Sequence, residues 1–148
     1  MTLSQKCRYA LRAVFELAKR QGSGPTTIGC IAEAQAIPPR FLELILAQAK
    51  QAGFVESRRG KTGGYLLARD PRDITVSDVI RVFEGPISVV DCGNGAGNPC
   101  PLESDCVFKS LWDDASFALL RVLEGTTFAD LVERELVRTH SSTLNYTI

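Results

Sequence analysis

Residues 26–68 read TTIGCIAEAQAIPPRFLELILAQAKQAGFVESRRGKTGGYLLA, and the order of features in this stretch decides the fold. Thr26 or Thr27 can accept backbone N–H bonds and cap a short helix from Ile28 to about Gln35. Ala36-Ile37-Pro38 interrupts it, and Pro39 stands at the first turn of a second helix, where a missing donor costs nothing. That helix carries Phe41, Leu42, Ile45, Leu46 and Ala49 at three- and four-residue intervals and stops at Gly53. Two short helices on a tight turn, the second opening with polar side chains, meet the requirement for a helix-turn-helix. Phe54-Val55-Glu56-Ser57, the basic glycine-rich run Arg58–Gly64 and Tyr65–Ala68 then form strand, turn and strand, a β-hairpin wing. A glycine-rich loop can also cradle a nucleotide phosphate, but such loops open a helix and none starts after Gly64.

Outward from this stretch the chain is helical. Ser4 is a good N-cap for a helix to about Gln21, with Cys7, Ala10, Leu11, Val14, Phe15 and Ala18 as its apolar stripe. Gly22-Ser23-Gly24-Pro25 breaks it. Downstream, Asp70-Pro71-Arg72-Asp73 closes the hairpin, and Thr75 with Asp78 forms a capping pair for a helix ending near Glu84-Gly85-Pro86. Ile87 to Val90 reads as a short extended approach to a loop. Beyond Cys106 lies the longest apolar-periodic stretch, capped by Ser104 or Asp105 and ended by Gly125. One small chain does not easily bury so wide a face, so Leu111, Trp112, Ala115, Leu119 and Val122 are the expected dimer interface. Packing on the winged domain is the alternative. A short helix from Thr127 to about Val137 and a polar tail from Arg138, containing the single histidine His140, complete the chain. The expected class is mainly α with a small β-hairpin: a winged helix-turn-helix over residues 1–85, a cysteine loop over 86–106, and a long C-terminal dimerisation helix with its tail over 107–148.

The 148 residues carry no net charge. Residues 1–69, however, hold eleven Lys/Arg against four Asp/Glu, a net +7, and residues 70–148 hold six against thirteen, a net −7. A polyanion would be attracted to the first half alone and oriented by the second, although a dipolar surface of no consequence has the same count. No apolar run approaches bilayer-spanning length, and Met1–Lys6 lacks a secretory apolar core, so a cytoplasmic protein without membrane contact is expected. In that reducing compartment five cysteines favour ligands or redox-active thiols over disulfides.

Three of those cysteines, Cys92, Cys100 and Cys106, fall in DCGNGAGNPCPLESDC, residues 91–106. Gly, Asn, Asp and Pro suit turns rather than helix or strand. Thiolates on a pliable loop can converge on one soft metal or an iron–sulfur cluster. A disulfide or chance clustering is the alternative, since the spacing matches no strict zinc signature.

Three stretches, MTLSQKCRYALRA at the start, IAEAQAIPPRFLE in the centre and RRGKTGGYLLAR in the wing, resemble the IscR/NsrR/CymR-type regulators, the Rrf-two family. The resemblance runs from Met1 to about Leu136, and the cysteine loop resembles that of the iron–sulfur members, notably the nitric-oxide-sensing NsrR branch. It implies a homodimer of two winged domains with crossing long helices and a two-iron or four-iron cluster held by Cys92, Cys100 and Cys106. Two departures stand out. Seven residues separate Cys92 from Cys100, more than the common five, and Lys109 occupies the place where the IscR branch has a histidine ligand. In the NsrR branch the partner's first helix is understood to supply an acidic ligand. The matching position is Arg8, beside Cys7, which makes Cys7 a candidate fourth ligand, with core packing as its alternative. Cys30 is expected to be structural.

These features lead to the expectation of a transcription regulator, a repressor, that binds double-stranded DNA at a palindromic operator. Pro39 would open the reading helix, Arg40 would meet guanine or phosphate, and Glu43 would accept from cytosine N4. Arg58, Arg59 and Lys61 would hold the wing to backbone and minor groove, and Thr26 and Thr27 would take a phosphate. A zinc site or thiol switch in place of the cluster is the main alternative. Catalysis by the cysteines lacks a partner, because the single histidine is in the tail.

Overall fold

The computed structural model describes residues 1–90, 100–102 and 104–144. Cys92, Asp91 and Glu103 lie outside them. Helix α1 (Gln5–Lys19) is capped by Ser4, whose hydroxyl accepts from the Cys7 N–H at 3.1 Å. Its inner face buries Cys7, Ala10, Val14 and Ala18 of the expected stripe, together with Ala13 and Leu17, which lay outside it, while the expected Leu11 and Phe15 are half-buried at its margins.

Helix α2 (Ile28–Gln35) and helix α3 (Pro39–Gln51) form the helix-turn-helix. The turn between them depends on Ala36, which takes φ +48°, a left-handed conformation that costs an L residue about 1–2 kcal/mol. The Ile37 N–H returns to the Ala32 carbonyl at 2.9 Å, so the last turn of α2 keeps its acceptor satisfied. Leu42, Ile45, Leu46 and Ala49 point from α3 into the core. The wing is an antiparallel pair, β1 (Val55–Arg58) with β2 (Gly64–Leu67), in register Val55 to Leu67 and Arg58 to Gly64. After a short 3-10 turn at Pro71–Asp73, helix α4 (Val76–Glu84) opens on the expected capping box between Thr75 and Asp78.

The approach segment Ile87–Val90 joins no strand; Ile87 is buried, and the Val89 N–H donates to Ser116 Oγ at 3.1 Å, which fastens the segment to helix α5 (Lys109–Glu124). The C-terminal third departs from the sequence reading in two ways. Neither Ser104 nor Asp105 caps α5. Its N-cap is Phe108, with no side-chain cap bond, because turns through Cys106 and Phe108 come first and the Lys109 N–H already returns to the Cys106 carbonyl at 3.1 Å. Helix α6 (Phe128–Leu144) continues through His140, where a polar tail was expected, since no glycine or proline stops it.

Two buried clusters hold these elements together. The larger joins α1, α2, α3, the wing and α4, and takes in Phe128 from the first turn of α6, which is fully buried. The Phe128 N–H donates to the Ile74 carbonyl at 3.0 Å, and the Val76 N–H to Thr126 at 2.9 Å, so the start of α6 is hydrogen-bonded to the entry of α4. The smaller cluster is built on Cys7, Ile80 and Ile87, with Leu119, Leu120 and Leu123 of α5 packed against it.

Candidate nucleic-acid interface and cysteine loop

The pattern that buries Leu42, Ile45, Leu46 and Ala49 leaves Pro39, Arg40, Phe41, Glu43, Leu44 and Ala47 exposed on the other side of α3. Arg40 and Glu43 therefore stand where the sequence put them, at the outward N-terminal end of the second helix of the motif. Among the described residues neither is in a salt bridge. Lys50, at the other end of α3, donates to Ser57 Oγ at 2.6 Å and couples the helix to the first strand of the wing.

The wing presents Arg58, Arg59 and Lys61, all exposed. Arg58 reaches Glu56 at 3.5 Å, while Arg59 and Lys61 form no ion pair among the described residues. The turn is tight because of Gly63, where a Cβ would lie 2.4 Å from the Arg58 carbonyl oxygen. At Gly64, with φ +152°, a Cβ would lie 2.5 Å from the carbonyl oxygen of Thr26. Thr26 and Tyr65 pair as an isolated antiparallel bridge, so the wing is joined to the residue just ahead of α2.

This pairing changes the role of Thr26. It is only 6% exposed, and its backbone is committed to the wing, so it does not offer a hydroxyl to a phosphate as the sequence suggested. Thr27 does remain exposed. Its Oγ1 accepts from the Cys30 N–H at 3.3 Å as the cap of α2, which leaves the hydroxyl proton available to a phosphate oxygen. No local signal marks Thr26, Tyr65 and Gly64 as the residues that position the wing, because their contact is made between distant segments.

Behind this face, Glu16 is buried and ties α1 to α2. It accepts from Arg20 Nε at 2.6 Å and from Gln35 Nε2 at 2.8 Å, with Lys19 Nζ at 3.9 Å. Burial pushes its pKa up, but the hydrogen bonds from Gln35 and Arg20 and the charges of Lys19 and Arg20 outweigh this and hold the carboxyl below the ordinary range.

Of the cysteine-loop thiols, Cys100 is exposed and Cys106 is partly exposed, and both are free. Neither is in a helix or strand, so accessible soft donors stand at two of the three expected positions, which fits a cluster or soft metal. Among the described residues no three His, Cys, Asp or Glu side chains converge on a point, but the third expected ligand, Cys92, lies outside them. Cys7 does not fit the fourth position. It is fully buried against Ile80 and Ile87, and burial, with the nearby Glu84 carboxylate, pushes its thiol up to about 11. A thiol fully enclosed by Ile80 and Ile87 of its own chain is a packing group rather than a ligand offered to a partner. Cys30, in contrast, is exposed on α2 rather than part of the core.

On α5 the expected interface residues divide. Leu119 packs inward on the smaller cluster, Trp112 and Ala115 are partly covered, and Leu111 and Val122 are 53% and 66% exposed. Among the described residues, no helix is long and apolar enough to cross a membrane.

Residues 3–134 match the family model described as Rrf2, iron-dependent transcriptional regulator. The chain is 38% identical over 131 residues to the HTH-type transcriptional regulator CymR of Bacillus subtilis, covering 88% of this chain and 89% of that protein. It is 33% identical over 137 residues to the HTH-type transcriptional regulator IscR of Escherichia coli, covering 93% of this chain and 83% of that protein. Among solved structures, CymR of B. subtilis, titled the global cysteine regulator, superposes with a TM-score of 0.76 over 90% of this chain and 98% of its own, at 38% identity. IscR of T. potens superposes with a TM-score of 0.74 over 91% and 88%, at 36% identity. The helix-turn-helix, its docked wing, the long helix beyond the cysteine loop and these matches along nearly the whole chain lead to one conclusion: the chain belongs to the Rrf2 family of transcriptional regulators and is not an enzyme.

Proposed function

We propose that this regulator is a cytoplasmic homodimeric repressor that binds a palindromic DNA operator, with its affinity governed by an iron–sulfur cluster held by Cys92, Cys100 and Cys106. The observation that carries the DNA-reading part is the outward face of α3, where Arg40 and Glu43 stand exposed beside a wing whose Arg59 and Lys61 have no ion pair among the described residues. The first half of the chain, net +7, approaches the duplex, and the acidic second half points the molecule the right way round. α3 enters the major groove by its N-terminal end, with Arg40 on guanine or phosphate and Glu43 accepting from cytosine. Arg58, Arg59 and Lys61 hold the wing to the backbone and minor groove, and Thr27 donates to a phosphate. Dimerisation through Leu111, Val122 and neighbouring positions of α5 sets the spacing of two such heads on a two-fold site.

The sensing part is supported by two accessible, free loop thiols, the family description as iron-dependent, and the similarity to IscR. A bound cluster would supply a redox-active, chemically labile centre. The fourth ligand comes from a group other than Cys7. The 38% identity to CymR, titled a cysteine regulator, favours a second reading in which the loop cysteines act as a thiol switch or zinc site under the same DNA-binding head. Purification under anaerobic conditions separates the two. Visible absorbance that is bleached by nitric oxide or oxygen, together with a change of roughly 5–150-fold in DNA affinity measured by fluorescence anisotropy, supports the cluster. A colourless protein whose affinity follows thiol oxidation supports the second reading.

A further inference from the structure

The reading face of α3 is not only polar. Phe41 is 56% exposed and Leu44 is 67% exposed, on a helix that buries Leu42, Ile45, Leu46 and Ala49 on its other side. Positions four and three apart share a helix face, so Arg40, Leu44 and Ala47 follow one another along its outward row. Phe41 lies beside this row and is held on one side by Tyr9, with ring centroids 6.3 Å apart and planes tilted by 53°. Two large apolar groups thus stand in water between and beside the groups that would read bases, and neither contributes to the cores.

The major groove offers one apolar group, the C5-methyl of thymine, next to the O4 acceptor. We propose that Leu44 and Phe41 read thymine methyl groups, each taking one methyl in a half-site beside the polar contacts of Arg40 and Glu43. This rests on the proposed placement of α3 in the major groove, and it adds a defined requirement, thymine at fixed positions. Electrostatics favours duplex DNA as the occupant over an apolar protein surface. Arg40 shares the outward row and Arg59 and Lys61 extend from the adjacent wing, and a protein patch covering Leu44 would have to desolvate these charges or supply partners for them. Ala47, third on the row, is small and lets the helix approach the base edges closely.

The test uses the full chain to select a preferred site from a random duplex library. Each thymine of that site is then replaced by deoxyuridine, which removes one methyl and nothing else. At the read positions the wild-type protein should lose about four-fold in affinity per methyl, the worth of one buried methyl group. Leu44→Ala should abolish the loss at one position and Phe41→Ala at the other, each keeping the deoxyuridine response at the position read by the other residue, with thermal unfolding as in the wild type. Wild-type indifference to every deoxyuridine would overturn the inference while leaving a sequence-specific regulator in place. Failure of any site to emerge would overturn both. If Leu44→Ala and Phe41→Ala keep full affinity and full sensitivity to deoxyuridine, the methyls are read by other groups and the inference fails.

Discussion

Thr26 and Tyr65 exchange both backbone hydrogen bonds, each at 2.8 Å, across 39 residues of chain that hold the whole helix-turn-helix. The wing is therefore anchored to the start of the motif at the second residue of β2, close to its tip, and the tip is aimed by that anchor. Gly64→Ala is the substitution that breaks it, because the new Cβ would fall 2.5 Å from the Thr26 carbonyl oxygen. We expect a loss of stability of roughly 1–3 kcal/mol in urea unfolding, with near-native helix content by circular dichroism. DNA affinity should fall by more than that of Arg59→Ala, since the whole wing is displaced. Equal affinity to wild type would mean that the wing is not held by this pairing.

Arg59 and Glu43 should fail in different ways. Arg59→Ala removes the proposed phosphate contact, so affinity should drop on every duplex and the slope of log affinity against log salt should become shallower by about one unit. Glu43→Ala should leave that slope alone and relax discrimination at one position per half-site by roughly 1–3 kcal/mol. Anisotropy titrations across a salt series, on specific and random duplexes, distinguish the two.

The division of α5 makes its own prediction. Leu111 and Val122 are exposed, so Leu111→Glu with Val122→Glu should yield a monomer by analytical ultracentrifugation while unfolding remains cooperative at nearly the same temperature. Leu119 packs on the Cys7–Ile80–Ile87 cluster, so Leu119→Ala should instead destabilise the protein by about 1–3 kcal/mol and leave it dimeric. A stable dimer from the double glutamate variant would place the interface elsewhere.

For the cysteines, Cys92→Ala, Cys100→Ala and Cys106→Ala should each abolish visible absorbance after anaerobic purification, because three loop thiolates leave no spare ligand. Cys7→Ala should keep the absorbance and lower stability by about 1 kcal/mol, as expected for a small buried group. Bleaching by Cys7→Ala with unchanged stability would return Cys7 to the ligand set.

Glu16 predicts a pH dependence. Its folded pKa is depressed, so its carboxylate contributes stability that is present above the unfolded value of about 4.3 and lost as pH falls through the lower folded value. Glu16→Gln carries no titratable group, so it should be less stable than wild type by about 2 kcal/mol at pH 7. That gap should narrow progressively below pH 4. A gap independent of pH would assign the effect to packing of the side chain rather than to its charge.

Most of the reading head was legible in the sequence because its signals are local. Ser4, Thr27 and the Thr75–Asp78 pair cap the helices as their spacing suggested, and Pro39 and Gly53 bracket α3. What escaped was set by distant partners. A threonine before a helix reads as a polar surface group, yet Thr26 is buried because a strand 39 residues later comes to pair with it. Leu119 reads as part of one continuous apolar stripe, and only the docking of α5 on Ile80 and Ile87 divides that stripe into an inner and an outer half. The polar run Arg138-Thr139-His140-Ser141 reads as tail, but composition without a glycine or proline is a weak stop signal, and the helix continues.

The full burial of Phe128 in the same core as Val14, Leu42 and Leu67 has a consequence for how the molecule is made. The ribosome releases the DNA-reading segments first, yet the core beneath them stays open until the first turn of α6 has emerged and Lys19 can meet Glu135 at 2.9 Å. Interrupted synthesis or a proteolytic cut within α5 would therefore yield not a free-standing reading head but a chain with an aromatic-sized gap at its centre. The helix-turn-helix and the C-terminal helix therefore share one core, and the first is complete only when the last has been made.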